Sequence, residues 1–336
     1  MKRLFALLLT LSLLALPAFG EEKTKRVYRA GETEPFGTEE TLLRLRVCPL
    51  LGADSMLLTL GDHSMLIDMG IDSDVPAVAR MVNLDARLTQ LEYAFSTHPH
   101  SDHIGGLPGL LSYVSIGTFF TAFPLDYQDN TGPDVRQIRA VRALQAAGVP
   151  IESVQAGDEI PFGDAKITVL RQEKYTTNNQ SAMLLVEYGA CRLLLTADVE
   201  NQGQAALLRN WDVRADIMKF PHHGVTAMDQ GFLSAVNPEL AFFTHGSENT
   251  KDAQWQLRRM GVPCLFATWA PLPLPAMAKS GLFPRMSLRK WWPMPPATGW
   301  NKKRDLQGES FFGGPRTVLP APSKKALRNK NSMPLN

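Results

Sequence analysis

The sequence predicts a layered α/β sandwich followed by an irregular tail. Between residues 42 and 269, strand-like apolar segments and helix-like segments interleave twice, which gives two β-rich halves with helices outside them. At 336 residues with 44% hydrophobic content, the chain can bury a substantial core. After residue 270 no apolar period survives, and 11 of the 24 prolines fall in 271–336. We therefore predict one folded domain at 42–269 and a disordered or irregular tail at 270–336.

The first twenty residues are typical of a signal peptide. Lys2 and Arg3 precede an apolar run over 4–16, and Ala18 and Gly20 fit a signal-peptidase site. The run is short for a membrane span, so an uncleaved anchor is only the alternative interpretation. We exclude residues 1–20 from the fold, treat 21–41 as a polar leader, and expect a secreted or extracytoplasmic chain.

Three strands are predicted at the start of the domain, over 43–47, 55–60 and 65–68. His63 lies on the turn between the second and third strands, and we predict a surface residue there rather than a ligand. Asp68 ends the third strand. Its carboxylate either caps the helix predicted near 75–82 or orients a metal-binding histidine, and the sequence leaves both interpretations open.

The strand predicted over 91–96 leads into Thr97-His98-Pro99-His100-Ser101-Asp102-His103-Ile104-Gly105-Gly106. His98 and His100 are two residues apart and can reach one ion, whereas Asp102 and His103 diverge and can reach a second. Imidazole and carboxylate together suit zinc, manganese or iron. Five of the seven histidines fall in this motif and in His222-His223, which argues against a merely solvated loop. The two glycines predict a tight turn into a short helix over 107–111.

The second half repeats the pattern of strands and helices. We predict strands over 116–121, 159–160, 165–170, 181–188, 191–196, 215–221, 239–244 and 262–268, and helices over 135–147, 202–209 and 252–260.

Several strands of this half end in polar side chains that are candidate ligands. Asp198 follows the strand 191–196, where it either bridges two metals or caps the next helix. His222 and His223 end the strand 215–221 and are interpreted as a ligand with its orienting partner rather than as core residues. His245 follows the strand 239–244 and is a minor candidate.

Charge and cysteine usage restrict the partners. The tail carries a net charge of +10 and the rest of the chain −8, so a nucleic acid would be attracted only by a local patch or by the tail. The basic, tryptophan-containing tail could also contact a membrane surface or an anionic polymer, or it could be a frameshifted end.

The three cysteines, Cys48, Cys191 and Cys264, lack metal-ligand spacing and are predicted to be buried small hydrophobes, although an export compartment would permit one disulfide.

The histidine motif resembles that of the metallo-β-lactamase fold hydrolases, and the resemblance extends over about 42–268. Five further elements occur in the expected order: Gly52-Ala-Asp-Ser55, Leu66-Ile-Asp68-Met-Gly70, Asn178-Asn-Gln-Ser181, Leu195-Thr-Ala-Asp198 and Lys219-Phe-Pro-His222-His223-Gly224. Within that superfamily they are similar to the hydrolase domain of the competence DNA-uptake channel family and to surface phosphorylcholine esterases.

The resemblance implies an αββα sandwich with two divalent metal ions, zinc before manganese, at its edge. It places His98 and His100 on one ion, Asp102 and His103 on the other, and Asp198 between them. One of His222 and His223 completes the second site, and Asp68, Asn178 and Ser181 lie behind the ligands. Two departures weaken the first metal site. Many family members have a further histidine where another loop meets the site, but here Asn178 occupies the first such place and no histidine follows Asn249; in addition, Val225-Thr226 replaces the usual serine.

The implied reaction is hydrolysis by water that two metals activate. Asp198 or Asp102 would take the proton, and Lys219 would either contact a phosphate or be a strand-edge surface residue. The expected substrate is a small or polymeric phosphodiester, with nucleic acid included. The alternatives are an ester, lactone or thioester hydrolase of the same fold and a non-catalytic surface-binding protein with a degenerate metal site.

Overall fold

Two mixed β-sheets lie face to face, and helices cover their outer faces. The architecture is that of a computed structural model in which residues 42–267 are described. The predictions for the signal peptide at 1–20, for the leader and for the tail at 270–336 lie outside the described residues. None of the helices in residues 42–267 combines the length and the hydropathy of a membrane span.

The strands between residues 42 and 267 are β1 (Arg44–Val47), β2 (Met56–Leu60), β3 (His63–Ile67), β4 (Gln90–Ser96), β5 (Ser115–Thr121), β6 (Gln128–Asp129), β7 (Gly132–Pro133), β8 (Ile151–Ser153), β9 (Glu159–Phe162), β10 (Ala165–Leu170), β11 (Met183–Tyr188), β12 (Cys191–Leu195), β13 (Ile217–Lys219), β14 (Leu240–Phe243) and β15 (Cys264–Phe266). The α-helices there are α1 (Val75–Arg80), α2 (Ser101–Ile104), α3 (Leu107–Leu110), α4 (Val135–Ala146), α5 (Asn201–Leu207), α6 (Gln230–Val236) and α7 (Lys251–Met260).

Each large sheet is antiparallel on one side and parallel on the other. The first has the order β1-β2-β3-β4-β5-β8 and is parallel from β3 to β8; the second has the order β15-β14-β13-β12-β11-β10-β9 and is parallel from β12 to β15. Open parallel sheets bind ligands beyond the carboxyl ends of their strands. The candidate ligands follow β3, β4, β12 and β13, so they lie at such ends.

Three buried apolar clusters establish the αββα layering. One lies between the sheets and includes Met56, Phe95 and Val169. A second packs the first sheet against its helices, and a third packs the other sheet against α5, α6 and α7. The predicted layered sandwich is confirmed, because each sheet is apolar on both faces and needs a helix layer outside it.

The predicted elements are present, with changes in detail. Short strand β8, helix α6 and the β6–β7 hairpin were not predicted, and the strand expected over 215–221 is limited to β13. Residues 101–104 of the histidine motif form a helical turn that begins after His100. His63 begins β3, and its ring bonds the Glu92 carboxylate at 2.7 Å, away from the other histidines.

The Gly105-Gly106 pair is needed for close packing rather than for a turn. Gly106 has ordinary right-handed torsions (φ −74°), but a Cβ there would overlap the carbonyl oxygen of Met69. We expect Gly106→Ala to lower the free energy of unfolding by about 3 kcal/mol, because backbone atoms cannot move aside cheaply. Gly246→Ala is the matched control, since no atom lies within 4 Å of its Cβ position; urea unfolding should leave that variant within about 0.5 kcal/mol of wild type. Equal stability of both variants would contradict the packing argument.

The sequence predicts that all three cysteines are buried, and the structure buries only one of them fully. Cys48 is buried, Cys191 and Cys264 are half-buried, and no disulfide forms among these three, all of which lie in the described residues. Burial raises the pKa of the Cys48 thiol to about 12 and that of Cys264 to about 11.

These raised pKa values predict poor thiol reactivity. The reacting species is the thiolate, so at pH 8 Cys48 should present roughly a thousandfold less of it than a thiol with the ordinary pKa of 9.0. We expect Ellman's reagent to label Cys48 and Cys264 slowly in the native protein and quickly in urea. Rapid labelling of Cys48 in the native state would show that this packing is wrong.

Candidate metal centre

Four side chains converge on the carboxylate of Asp198, which is 1% exposed at the end of β12. Its Oδ2 lies 3.1 Å from Nε2 of His103, 3.4 Å from Nε2 of His223, and 3.9 Å from Nε2 of both His98 and His222. These imidazoles come from the end of β4 in one sheet and from the end of β13 in the other. The site therefore joins the two sheets at one edge.

Asp102 closes the open side of this group. Its Oδ2 lies 3.2 Å from Nε2 of His223 and 3.9 Å from Nε2 of His103, and its side chain is 31% exposed. His100 is half-buried beside His98, with ring centroids 4.6 Å apart. The structure thus brings together all seven residues for which the sequence predicted metal binding. A helix cap at Asp198 is excluded, because Glu200 is the cap residue of α5.

Each buried histidine is held through Nδ1, which leaves Nε2 facing the centre. Asp68 accepts from Nδ1 of His103 at 2.7 Å and from the Thr97 hydroxyl at 2.8 Å. Because that hydroxyl has given its hydrogen to Asp68, it accepts from Nδ1 of His98 at 3.1 Å. Of the two interpretations of Asp68, the structure supports the histidine-orienting one; this is the arrangement that fixes metal-binding tautomers.

Asp54 is a site residue to which the sequence analysis gave no role. Its Oδ1 lies 3.0 Å from Nδ1 of His223, and its Oδ2 forms an ion pair of 2.7 Å with Lys219 Nζ. Asp54, His103, Asp198 and His223 present ligand atoms within 4.8 Å of one another. Both oxygens of Asp54 are already paired, however, so Asp102 fits better as the fourth ligand. The sequence feature that could have indicated a role for Asp54 is that it is a single acidic residue in the apolar segment before β2.

The position of Lys219 contradicts both interpretations that the sequence suggested for it. Its side chain is completely buried, so it is not a strand-edge surface residue, and its ammonium contacts Asp54 and the carbonyl of Ala197 (2.9 Å) rather than an open substrate surface. A buried ammonium needs such partners because desolvation is costly. The sequence feature that could have indicated this buried ion pair is a lysine in an otherwise apolar strand.

The remaining predicted residues lie in the neighbouring loops. The Asn178 amide donates to Glu200 at 3.2 Å, and Ser181 is buried beside Ala182, which bonds the backbone of Thr97. Asn178 Oδ1 and Ser181 Oγ are buried without a hydrogen-bond partner among the described residues. Their predicted support of the ligands stays a prediction. His245 packs against Gly52 and Asn249 at the rim.

Two of the site imidazoles, His103 and His223, are held cationic by the carboxylates, whereas burial lowers the pKa values of His98 and His100 and keeps those rings neutral. Burial lowers the pKa of His103, but the carboxylates of Asp198 and Asp68 outweigh it and raise the value to about 10. Burial also lowers the pKa of His223, but the carboxylates of Asp198 and Asp54 outweigh burial and raise that pKa well above its usual value. Burial raises the pKa of Asp198, whereas His103 and His223 hold it well below its usual range. Protons on these imidazoles occupy the positions that a metal would take, so metal binding releases them.

A divalent metal fits this donor set. Nε2 of His98, Nε2 of His103 and Oδ1 of Asp198 are buried and have no hydrogen-bond partner in the described chain. Unpaired buried polar atoms are rare and call for an unseen partner. Four neighbouring residues, Asp68 (φ 57°), Ala197 (φ 47°), His222 (φ 48°) and His223 (φ 54°), also have left-handed backbones that are strained for side chains with a Cβ. Such strain is typical of functional sites.

Comparison with known proteins identifies one family. The family profile described as the metallo-beta-lactamase superfamily matches residues 48–245, which is more than half of the chain. A search of curated proteins found no match to this chain.

Solved structures with similar folds are distant in sequence. The metallo-beta-lactamase fold protein YhfI from Bacillus subtilis is 15% identical, with a TM-score of 0.46, and the match covers 67% of this chain and 96% of that one. CmlA, a diiron beta-hydroxylase from Streptomyces venezuelae, is 10% identical, with a TM-score of 0.45 and coverage of 66% and 53%. A B3 metallo-beta-lactamase with an active-site glutamic acid is 16% identical, with a TM-score of 0.40 and coverage of 64% and 85%.

Proposed function

Because the chain belongs to the metallo-β-lactamase superfamily, we propose that it is a metal-dependent hydrolase that cleaves phosphodiester bonds. The observation that carries the proposal is the convergence of three Nε2 atoms and two carboxylates, with Nδ1 of each buried histidine already bonded elsewhere. The set matches the ligand preferences of zinc and, with its carboxylates, of manganese.

The residues divide into two candidate ligand groups that share Asp198. Asp102, His103 and His223 would hold one ion, and His98 and His100 the other, with His222 at the margin. A bound divalent ion supplies a lowered pKa for water and neutralisation of charge that develops on the substrate oxygen.

Asp102 is the better proton acceptor of the two proposed carboxylates. It is partly exposed, whereas Asp198 is surrounded by imidazoles and has no route to solvent through its own side chain. The hydrogen bond from His223 and the charge of His103 outweigh burial and lower the pKa of Asp102, so it is ionised near neutral pH. Asp198 would fix the histidines, and Asp102 would accept the proton of the attacking water and give it to the leaving oxygen as the ester bond breaks.

The phosphodiester specificity is supported by the Asn-x-x-Ser element at 178–181 and the Lys-x-x-His-His-Gly element at 219–224.

One feature favours an apolar ester as a second candidate substrate. A cavity of about 450 Å³ lies behind the turn Ser101–Gly105, and its walls include Ile71, Ile104 and Val135 together with Arg136. Pockets of this size with mostly apolar walls hold small organic groups.

Metal removal tests the proposal directly. We expect the purified full-length protein to lose activity at least about tenfold after chelation and to regain it with Zn²⁺ or Mn²⁺. Bis-p-nitrophenyl phosphate and a panel of lactones should be assayed in parallel. Turnover of the lactones alone would replace the phosphodiester proposal by the ester one, and activity unaffected by chelation would contradict both.

We further propose that the enzyme acts outside the cytoplasm on a small or polymeric phosphodiester, with nucleic acid or a membrane surface reached through the basic tail. The apolar run at 4–16 and the charge of +10 in 271–336 support this proposal. Mass spectrometry of the mature N-terminus should locate a cleavage near residue 20. A full-length cytoplasmic product would contradict the export.

A further inference from the structure

Asp54 lies behind His223 on the side away from Asp198. Asp54 Oδ1 and Thr244 Oγ1 each lie 3.0 Å from Nδ1 of His223, and all three side chains are buried. On the other side of the ring, Nε2 lies 3.2 Å from Asp102 and 3.4 Å from Asp198. The single hydrogen of a neutral imidazole can therefore point either way, towards Asp54 or towards the centre.

The chemistry of Asp54 decides between these two tautomers. An ionised carboxylate can only accept, so it requires the hydrogen on Nδ1 and leaves the lone pair of Nε2 for the centre. Thr244 does not impose this choice, because a hydroxyl can donate or accept. Without the carboxylate, the Thr244 hydroxyl could donate to Nδ1, and the hydrogen would move to Nε2, where Asp102 and Asp198 would accept it.

Lys219 holds Asp54 in the form that this role requires. Its Nζ bonds Oδ2 at 2.7 Å and the carbonyl of Ala197 at 2.9 Å, so Oδ1 remains for His223. The backbone of Asp54 is fixed too: its N–H donates to the Asp102 carbonyl (3.0 Å), and its own carbonyl accepts from Gly70 (2.9 Å). The carboxylate is thus held on both sides relative to the ligands.

We propose that Asp54, held by Lys219, is a positioning residue that fixes His223 in its metal-binding tautomer and is not itself a ligand. The inference rests on the proposed metal-dependent function. It adds for His223 the kind of support that Asp68 gives His103, and in both cases a buried carboxylate bonds Nδ1.

The test is the metal affinity of Asp54→Asn in the full chain. Zn²⁺ affinity is measured by competition with a chromophoric chelator, and coordination is followed by the visible spectrum of the Co²⁺ form. We expect affinity at the site that contains His223 to fall about 10- to 100-fold, with an unchanged number of ligands in the Co²⁺ spectrum. Wild-type affinity would overturn the inference, and so would a spectrum that shows one ligand lost, which would make Asp54 a ligand.

Two further variants separate positioning from folding. Thr244→Val removes the other partner of Nδ1 but keeps the carboxylate, so its affinity should stay within about threefold of wild type; a larger loss than in Asp54→Asn would assign the role to Thr244 and overturn the inference. Where Asp54→Asn does not fold, Asp54→Leu/Lys219→Met removes both buried charges together and leaves no carboxylate or amide oxygen to accept from Nδ1, so it should show the same 10- to 100-fold loss. Wild-type protein that binds no metal would refute the proposed function instead.

Discussion

Replacing Asp198 by asparagine is expected to lower kcat/KM by at least about a thousandfold, which corresponds to about 4 kcal/mol of lost transition-state stabilisation. The amide has nearly the shape of the carboxylate but lacks its charge. Oδ2 of Asp198 lies within 3.9 Å of four imidazole nitrogens, so one substitution weakens every candidate ligand group. The variant should also bind less than one equivalent of zinc under conditions in which the wild type is loaded.

The measurement combines metal content with hydrolysis of bis-p-nitrophenyl phosphate by the reconstituted protein. Asp164→Asn is the matched control, because it removes the same charge from an exposed residue just before β10, at the end of that strand opposite to Leu170, which pairs with Met183 next to the site. It should keep activity within about twofold of wild type. Full metal content and full activity in Asp198→Asn would show that the carboxylate does not organise the centre.

The grouping of the candidate ligands could be predicted from the histidine motif because its information is local. His98, His100, Asp102 and His103 occupy six consecutive residues, and the strand before them fixes the edge on which they lie. Asp198 and His223 could be added because each follows an apolar strand, and parallel strands deliver their ends to one edge of a sheet. The three-layer arrangement followed from the same alternation of apolar strands and helices.

Asp54 and Lys219 could not be predicted in the same way. Their pairing joins residues 165 positions apart, from the loop before β2 and the end of β13. Each residue alone has an ordinary interpretation, a turn aspartate and a surface lysine, and only the contact between the two sheets shows that both are buried. Long-range pairs of this kind leave no periodic signal in a single sequence. The same reason explains why Gly106 looked like a turn residue: the Met69 carbonyl that excludes a Cβ comes from another loop.

Lys219→Met is expected to lower the free energy of unfolding by about 3–5 kcal/mol, the cost typical of breaking a buried ion pair by removing one partner. The methionine fills a similar volume, but Oδ2 of Asp54 loses its nearest ion-pair partner, at 2.7 Å in a fully buried position, and keeps only Nδ1 of His103 at 3.9 Å. The charge cannot move to solvent, because Asp54 is fixed by its backbone hydrogen bonds to Asp102 and Gly70. Urea unfolding of the metal-free protein measures the effect without a contribution from bound ions.

Lys166→Met provides the comparison that separates burial from charge. Lys166 forms an ion pair of 2.6 Å with Glu159 on an exposed face of β10, and exposed pairs contribute about 0–1 kcal/mol. The two lysines thus have partners at nearly equal distance and differ in solvation. If burial sets the cost, Lys219→Met is the far more damaging change, and adding Asp54→Asn should restore part of the lost stability because no unpaired charge remains. Equal losses in the two single variants, or a double variant that loses the sum of both singles, would mean that the Asp54–Lys219 pair is not the buried unit described here.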